Sequence, residues 1–140
     1  MQAQLNPLCP CDCNTHYEQC CAQFHQGRQQ PKTALELMKS RYSAYAKAQA
    51  VYIINTTHKT HQEYLDDVNV WFEHINEFIE ITQFRGLNII DYQEFENEAY
   101  VIFQALLTQH GVNSSFTERS HFVKENGIWY YQSGEIFDEI

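Results

Sequence analysis

Long apolar runs are missing from these 140 residues: none approaches the roughly 18–20 consecutive apolar positions needed to cross a bilayer. The opening Met1-Gln2-Ala3-Gln4 has neither the basic start nor the apolar stretch of a secretion signal, so a cytoplasmic protein with no membrane partner is expected. Prolines (3) and glycines (5) are too few for a low-complexity or linker segment, and no internal repeat is visible. Basic residues are scarce as well. Nine Lys and Arg face 18 Asp and Glu, and the formal net charge of −9 argues against nucleic acid or anionic lipid as a main partner. Cysteine is absent after Cys21: all five lie between Cys9 and Cys21, a cluster that in a reducing compartment indicates a metal site rather than a disulfide framework.

What remains is a core-forming composition, 44% hydrophobic and 14% aromatic, at a length that suits one domain with a proper core. The few basic residues are unevenly placed. Residues 19–62 carry six of them (Arg28, Lys32, Lys39, Arg41, Lys47, Lys59) against Glu36, whereas residues 63–98 carry ten acids against Arg85. Two solvated faces of opposite sign account for this; a basic patch near the cysteines that touches an anionic partner is the sharper alternative.

Residues 1–30 form a cysteine knuckle and a polar connector, and residues 31–140 an α+β domain. Thr33-Ala34-Leu35-Glu36 fits a capping box, with Thr33 as the N-cap and Glu36 reaching back. Leu35, Met38, Tyr42, Tyr45, Gln49 and Tyr52 recur at helical spacing, which predicts a helix to about Thr57 with a kink near Ala48–Ala50. A second amphipathic helix is expected over Glu63–Glu80, burying Tyr64, Val68, Trp71, Phe72, Ile75, Phe78 and Ile79. Four β runs follow at about 84–95, 99–109, 115–125 and 128–133, the last two joined by Asn126-Gly127, a strong two-residue hairpin signal. Short connections make them an antiparallel meander with the helices on one face.

Cys9-Pro10-Cys11 and Cys20-Cys21 are two close pairs eight residues apart, able to surround a tetrahedral zinc ion with thiolates at about 2.3 Å. A disulfide within either pair would be strained, and iron–sulfur clusters use other cysteine spacings. A structural zinc held by Cys9, Cys11, Cys20 and Cys21 is therefore expected. Cys13 is surplus: a competing ligand, a redox-sensitive thiol or, as the default, a small loop residue.

Cys-Pro-Cys-x8-Cys-Cys with Tyr17 three residues before Cys20 resembles the SEC-C motif, named after the zinc-binding tail of the SecA translocation ATPase. The stretches Leu37-Met38-Lys39-Ser40-Arg41-Tyr42-Ser43-Ala44-Tyr45 and Glu118-Arg119-Ser120-His121-Phe122-Val123-Lys124-Glu125-Asn126-Gly127-Ile128-Trp129-Tyr130-Tyr131 resemble the two signatures of the bacterial YchJ family. The resemblance covers nearly the whole chain. It implies a nuclear-transport-factor-like (cystatin-like) domain, a curved antiparallel sheet wrapped by helices into a cone with a pocket, and Cys9, Cys11, Cys20 and Cys21 as zinc ligands. The family usually has Gly-Ser-Gly after Cys-Pro-Cys. Here Asp12-Cys13-Asn14 stands instead, and Asp or Asn can take the left-handed conformation that glycine would supply. Some members carry a second cysteine motif near the C-terminus; none occurs between Cys21 and Ile140. The family brings no established reaction with it.

Candidates for lining the pocket are Arg41, Tyr42, Tyr45, His58, Trp71, Glu118 and Ser120. Strand alternation puts Glu118, Ser120 and Phe122 on one face, and Arg119, His121 and Val123 on the other. An Arg41–Glu118 ion pair joining helix to sheet is expected, while His58 and His61 are expected as capping or exposed residues. No Ser-His-Asp arrangement, phosphate loop or paired carboxylate is present. The favoured function is a non-enzymatic module whose knuckle docks a protein or ribonucleoprotein. A small-molecule or dehydratase- or isomerase-like cone is the alternative, on fold analogy, and a homodimer through the sheet is a third expectation.

Overall fold

The computed structural model describes residues 8–61 and 67–137. After a 3-10 turn at Tyr17–Gln19 come four helices and five strands: α1 (Ala22–His25), α2 (Ala34–Ala46), α3 (Ala50–Asn55), α4 (Val68–Ile81), β1 (Thr82–Glu94), β2 (Glu98–Gln109), β3 (Val112–Asn113), β4 (Phe116–Glu125) and β5 (Ile128–Phe137). The α+β expectation holds.

Helix α2 starts as its capping box dictates. The Glu36 N–H donates to Thr33 Oγ1 at 3.1 Å, and Glu36 Oε1 accepts the N–H of Lys32, one residue further back than the usual box partner. The helix does not run to Thr57. It stops at Ala46, Ala48 turns left-handed (φ 59°), and α3 begins at Ala50. Ala-Lys-Ala-Gln-Ala has ample helix propensity, so tertiary contact decides the break. The turn brings α3 back against α2, where the Tyr52 hydroxyl donates to Ser40 Oγ (2.7 Å) and Arg41 Nη1 to the Ile53 carbonyl (3.1 Å). Asp67 caps α4 by accepting the N–H groups of Asn69 and Val70. The expected second helix spans 63–80; its residues 63–66, Tyr64 among them, lie outside the described residues. Trp71 and Ile75 are buried, but Val68 and Phe72 of the expected stripe are exposed. α4 touches the rest of the cone along a strip narrower than its apolar face.

The strands form one antiparallel sheet in the order β1-β2-β4-β5, the expected meander, with β3 folding back on β2. Asn126 and Gly127 both take positive φ (53° and 80°), as a type I′ hairpin requires. His110 and Gly111 do the same between β2 and β3, so the tight turn lies one residue earlier than the expected 111–113 break. Register shifts at Phe84/Gly86, Ile89/Asp91 and His121/Phe122 add local twist and bend the sheet around α2. Its concave face presents Leu87, Val101, Phe103, Leu107, Phe122 and Trp129 to Leu37, Met38 and Tyr42 of α2. A smaller cluster of Ala44, Ala50, Ile53, Trp71 and Ile75 joins α3 and α4. At the open edge the end of α3 pairs with β5: the His58 N–H donates to the Tyr131 carbonyl and the Tyr131 N–H to that of Thr56, both at 2.8 Å.

Candidate functional site: a cysteine knuckle and a cone cavity

The knuckle is a tight loop. Leu8 bridges His16, the Cys9 N–H donates to the Thr15 carbonyl at 2.8 Å, and Asp12 and Asn14 each sit at φ 66°. These are the two positions where related motifs place glycine, and short polar side chains hold the left-handed conformation here. The sulfurs of Cys9, Cys11, Cys13 and Cys20 lie mutually within 4.8 Å, and that of Cys21 is 4.0 Å from Cys20. The cluster can hold a metal ion. A tetrahedron with 2.3 Å metal–sulfur bonds has edges of about 3.8 Å. The Cys11–Cys20 (3.6 Å) and Cys20–Cys21 (4.0 Å) separations bracket that length. Cys13 approaches Cys20 to 2.9 Å, shorter than such an edge and longer than a disulfide of about 2.05 Å. All five sulfurs therefore crowd one spot, and Cys13 takes part in the cluster instead of standing apart in the loop.

Without a cation the cluster resists full ionisation. Hydrogen bonding from the Cys11 and Cys21 thiols holds Cys9 well below the usual thiol range, and hydrogen bonding to Cys21 and Cys9 pushes Cys11 far above it. Burial and the adjacent Cys13 push Cys20 up to about 12. A divalent cation removes that conflict by neutralising several thiolates at once.

The knuckle is fastened to the body on its inner side. Cys9 Sγ meets Ser43 Oγ of α2 at 3.3 Å, and Asp12 Oδ2 accepts the Leu87 N–H at 3.2 Å beside the β1 bulge. The Tyr17 hydroxyl donates to His25 Nδ1 (2.6 Å), and His25 Nε2 donates to the Ser40 carbonyl (2.8 Å). Those two bonds define a neutral imidazole, and burial lowers its pKa below 6.5. Below about pH 6.5 the unfolded chain takes up this proton before the folded one does, so stability falls as the pH drops through that window. Between pH 7 and 6, with metal content followed in parallel, thermal midpoints of a His25→Gln variant should fall less steeply than those of the parent. Equal slopes would remove His25 as the source.

Under the concave sheet lies a cavity of about 710 Å³, walled by aromatic rings from α2, α4 and the strands. Six of the seven residues expected there line it: Arg41, Tyr42, Tyr45, Trp71, Glu118 and Ser120. His58 does not. Its backbone pairs with Tyr131, and its ring turns to the β4–β5 hairpin, where Nε2 donates to Glu125 Oε2 at 2.8 Å and Nδ1 accepts the Thr60 N–H. It is buried, not a helix-end cap. His61, also expected outside, lines the cavity, and the exposed His74 stands at its edge. Arg119 and His121 face away as expected, packed on Tyr100 at 4.1 and 4.6 Å on the convex side.

The expected Arg41–Glu118 ion pair is absent. Arg41 Nη1 donates instead to Ile53 O, Thr56 Oγ1 and Thr57 Oγ1 at 3.1, 2.7 and 3.1 Å, and the guanidinium lies 4.5 Å over the Tyr131 ring. Glu118 Oε2 accepts from Ser120 Oγ (2.5 Å) and from the Tyr131 hydroxyl (2.9 Å). Tyr131 thus stands between the two charges. Burial, then the Glu118 charge, raises its pKa, so it remains a proton donor. Gly134 on β5 makes room for the arrangement, since a Cβ there would collide with the Glu118 carboxylate and the Tyr131 hydroxyl. Tyr131 is the central residue that sequence reasoning missed. Its place depends on the His121/Phe122 register shift, which strand alternation does not reveal.

A cysteine knuckle seated on a helix-lined cone of antiparallel strands defines a protein of the NTF2-like class with a SEC-C-type N-terminus. The chain matches the family model described as YchJ, middle NTF2-like domain, over residues 33–134. It is similar to a UPF0225 protein of Vibrio parahaemolyticus, 35% identical over 133 residues that span 94% of this chain and 76% of that protein. A UPF0225 protein of Photorhabdus laumondii is 37% identical over 134 residues, 93% of this chain and 81% of that one. The solution structure of a SEC-C motif containing protein from Rhodopseudomonas palustris superposes with a TM-score of 0.81 at 29% identity, covering 93% of this chain and 98% of the other. The chain belongs to the YchJ (UPF0225) family. Among the described residues no helix is long and apolar enough to cross a membrane.

Proposed function

We propose that this protein is a small-molecule receptor in which a structural zinc, held by Cys9, Cys11, Cys20 and Cys21, braces the cone. The observation that carries it is the cavity of about 710 Å³, a volume typical of ligand sites, with mostly apolar walls and a few convergent polar groups at one end. Four thiolates leave a zinc ion no open position, which suits a structural metal. The all-sulfur donor set suits a soft or borderline metal such as zinc over hard cations such as magnesium or calcium. Docking of a protein or ribonucleoprotein on the knuckle has less to work with. Its inner side is taken up by Ser43, Leu87 and the Tyr17–His25–Ser40 chain, leaving a mostly polar outer side of Asn14, Thr15, His16, Glu18 and Gln19 with the exposed Leu8.

Ala105 is buried on β2 and lines the cavity, so a larger residue there fills the space from the sheet side. The fluorescent probe 1-anilinonaphthalene-8-sulfonate should bind the parent protein, and Ala105→Phe should weaken it at least tenfold while the protein stays folded by circular dichroism. Unchanged probe affinity in the folded variant would show that the cavity is not the binding site.

A further inference from the structure

Two opposite charges line the cavity, and among the described residues neither has an ion-pair partner. A charge removed from water is ordinarily matched by an opposite charge. Arg41 is 8% exposed, yet every acceptor it meets among the described residues is neutral: one carbonyl, two threonine hydroxyls and the face of Tyr131. Its three hydrogen bonds leave from one nitrogen, Nη1, out of a guanidinium with five N–H donors. Glu118 receives only two hydroxyl donors, both on Oε2, and its other oxygen has no partner among the described residues. The two groups are held apart by the Tyr131 ring, which contacts the cation with its face and the anion with its hydroxyl. With no side chain at position 134, the carboxylate is seated against β5.

We propose that the cavity binds a small dipolar molecule, an amino-carboxylate with an apolar or aromatic body, whose carboxylate meets Arg41 and whose ammonium meets Glu118. This rests on the cavity being a receptor, as argued above. A ligand carrying only a carboxylate would satisfy Arg41 and be repelled by Glu118. A ligand carrying only an amine would meet the reverse, and a wholly apolar one would leave both charges uncompensated. A zwitterion supplies each with a charge-assisted hydrogen bond. Its body then lies along Trp71, Phe78, Phe84 and Phe116, which favour aromatic partners through edge-to-face contact.

Calorimetric titration of the full chain at pH 7 with L-phenylalanine, 3-phenylpropionate and 2-phenylethylamine tests this, with displacement of 1-anilinonaphthalene-8-sulfonate as a second readout. Phenylalanine is expected to bind at least tenfold more tightly than either single-charge analogue. Glu118→Gln, which keeps the volume and an oxygen for Ser120 and Tyr131, should erase its advantage over 3-phenylpropionate while leaving the fluorescent probe bound. If either analogue equals phenylalanine, or none of the three displaces a probe that does bind, the dipolar ligand is wrong and the receptor stands. If neither the probe nor any of the three binds, the receptor itself falls.

Discussion

Cys11→Ser is expected to strip the metal from the knuckle and to lower the thermal midpoint of the whole chain by on the order of 10 °C, equivalent to about 3–4 kcal/mol for a domain of this size. The effect reaches the body because the knuckle is not an appendage. Cys9, Cys11 and Cys21 are buried in the same cluster as Leu37, Met38 and Tyr42 of α2. Losing one thiolate leaves the remaining sulfurs crowded without a neutralising charge. The Cys9–Ser43 and Asp12–Leu87 contacts depend on the loop that a bound metal would close. Cys13→Ser should retain one equivalent of metal, because the proposed ligands Cys9, Cys11, Cys20 and Cys21 still supply four thiolates for a tetrahedral site. Metal analysis beside thermal melts separates the two variants. Equal metal content in both would mean that the ligand set is drawn wrongly, and an unchanged midpoint after chelation would mean that the knuckle does not brace the cone.

Phe122→Ala should cost about 3–5 kcal/mol, the range for removing a buried ring from a core that cannot collapse. Phe122 is 1% exposed on the concave face of β4, with its ring 5.7 Å from that of Tyr131. It sits where the packed core under α2 passes into the cavity, so its loss enlarges a space that already exists, and relaxation cannot close it. The same change also removes the support that sets the Tyr131 ring between Arg41 and Glu118. Urea unfolding measures the loss against Phe95→Ala, whose ring is 55% exposed and whose removal should shift stability by less than about 0.5 kcal/mol. Similar values for the two phenylalanines would contradict the description of the core.

Features governed by neighbouring residues were legible in the chain itself. The Thr33 cap on Glu36, the Asn126-Gly127 hairpin and the left-handed Asp12 and Asn14 all appear as local chemistry predicts. So do the order of helices before strands and the inward face of Glu118, Ser120 and Phe122. The helix stripe over Val68–Ile79 was legible only in part, because periodicity shows which face is apolar and not how wide a neighbour will cover it.

Sequence alone determined that five cysteines crowd one short loop and that an α+β fold follows. Residue type, spacing and strand parity are enough for such statements. Only the tertiary structure decided the rest. It made the kink expected near Ala48–Ala50 a full break between two helices, turned His58 out and His61 in, and brought Cys13 against Cys20. It also left the cone open, with Tyr131 between Arg41 and Glu118 in place of the expected ion pair. Each of these depends on a contact between residues far apart in the chain or on a register shift within the sheet, and no local pattern encodes either.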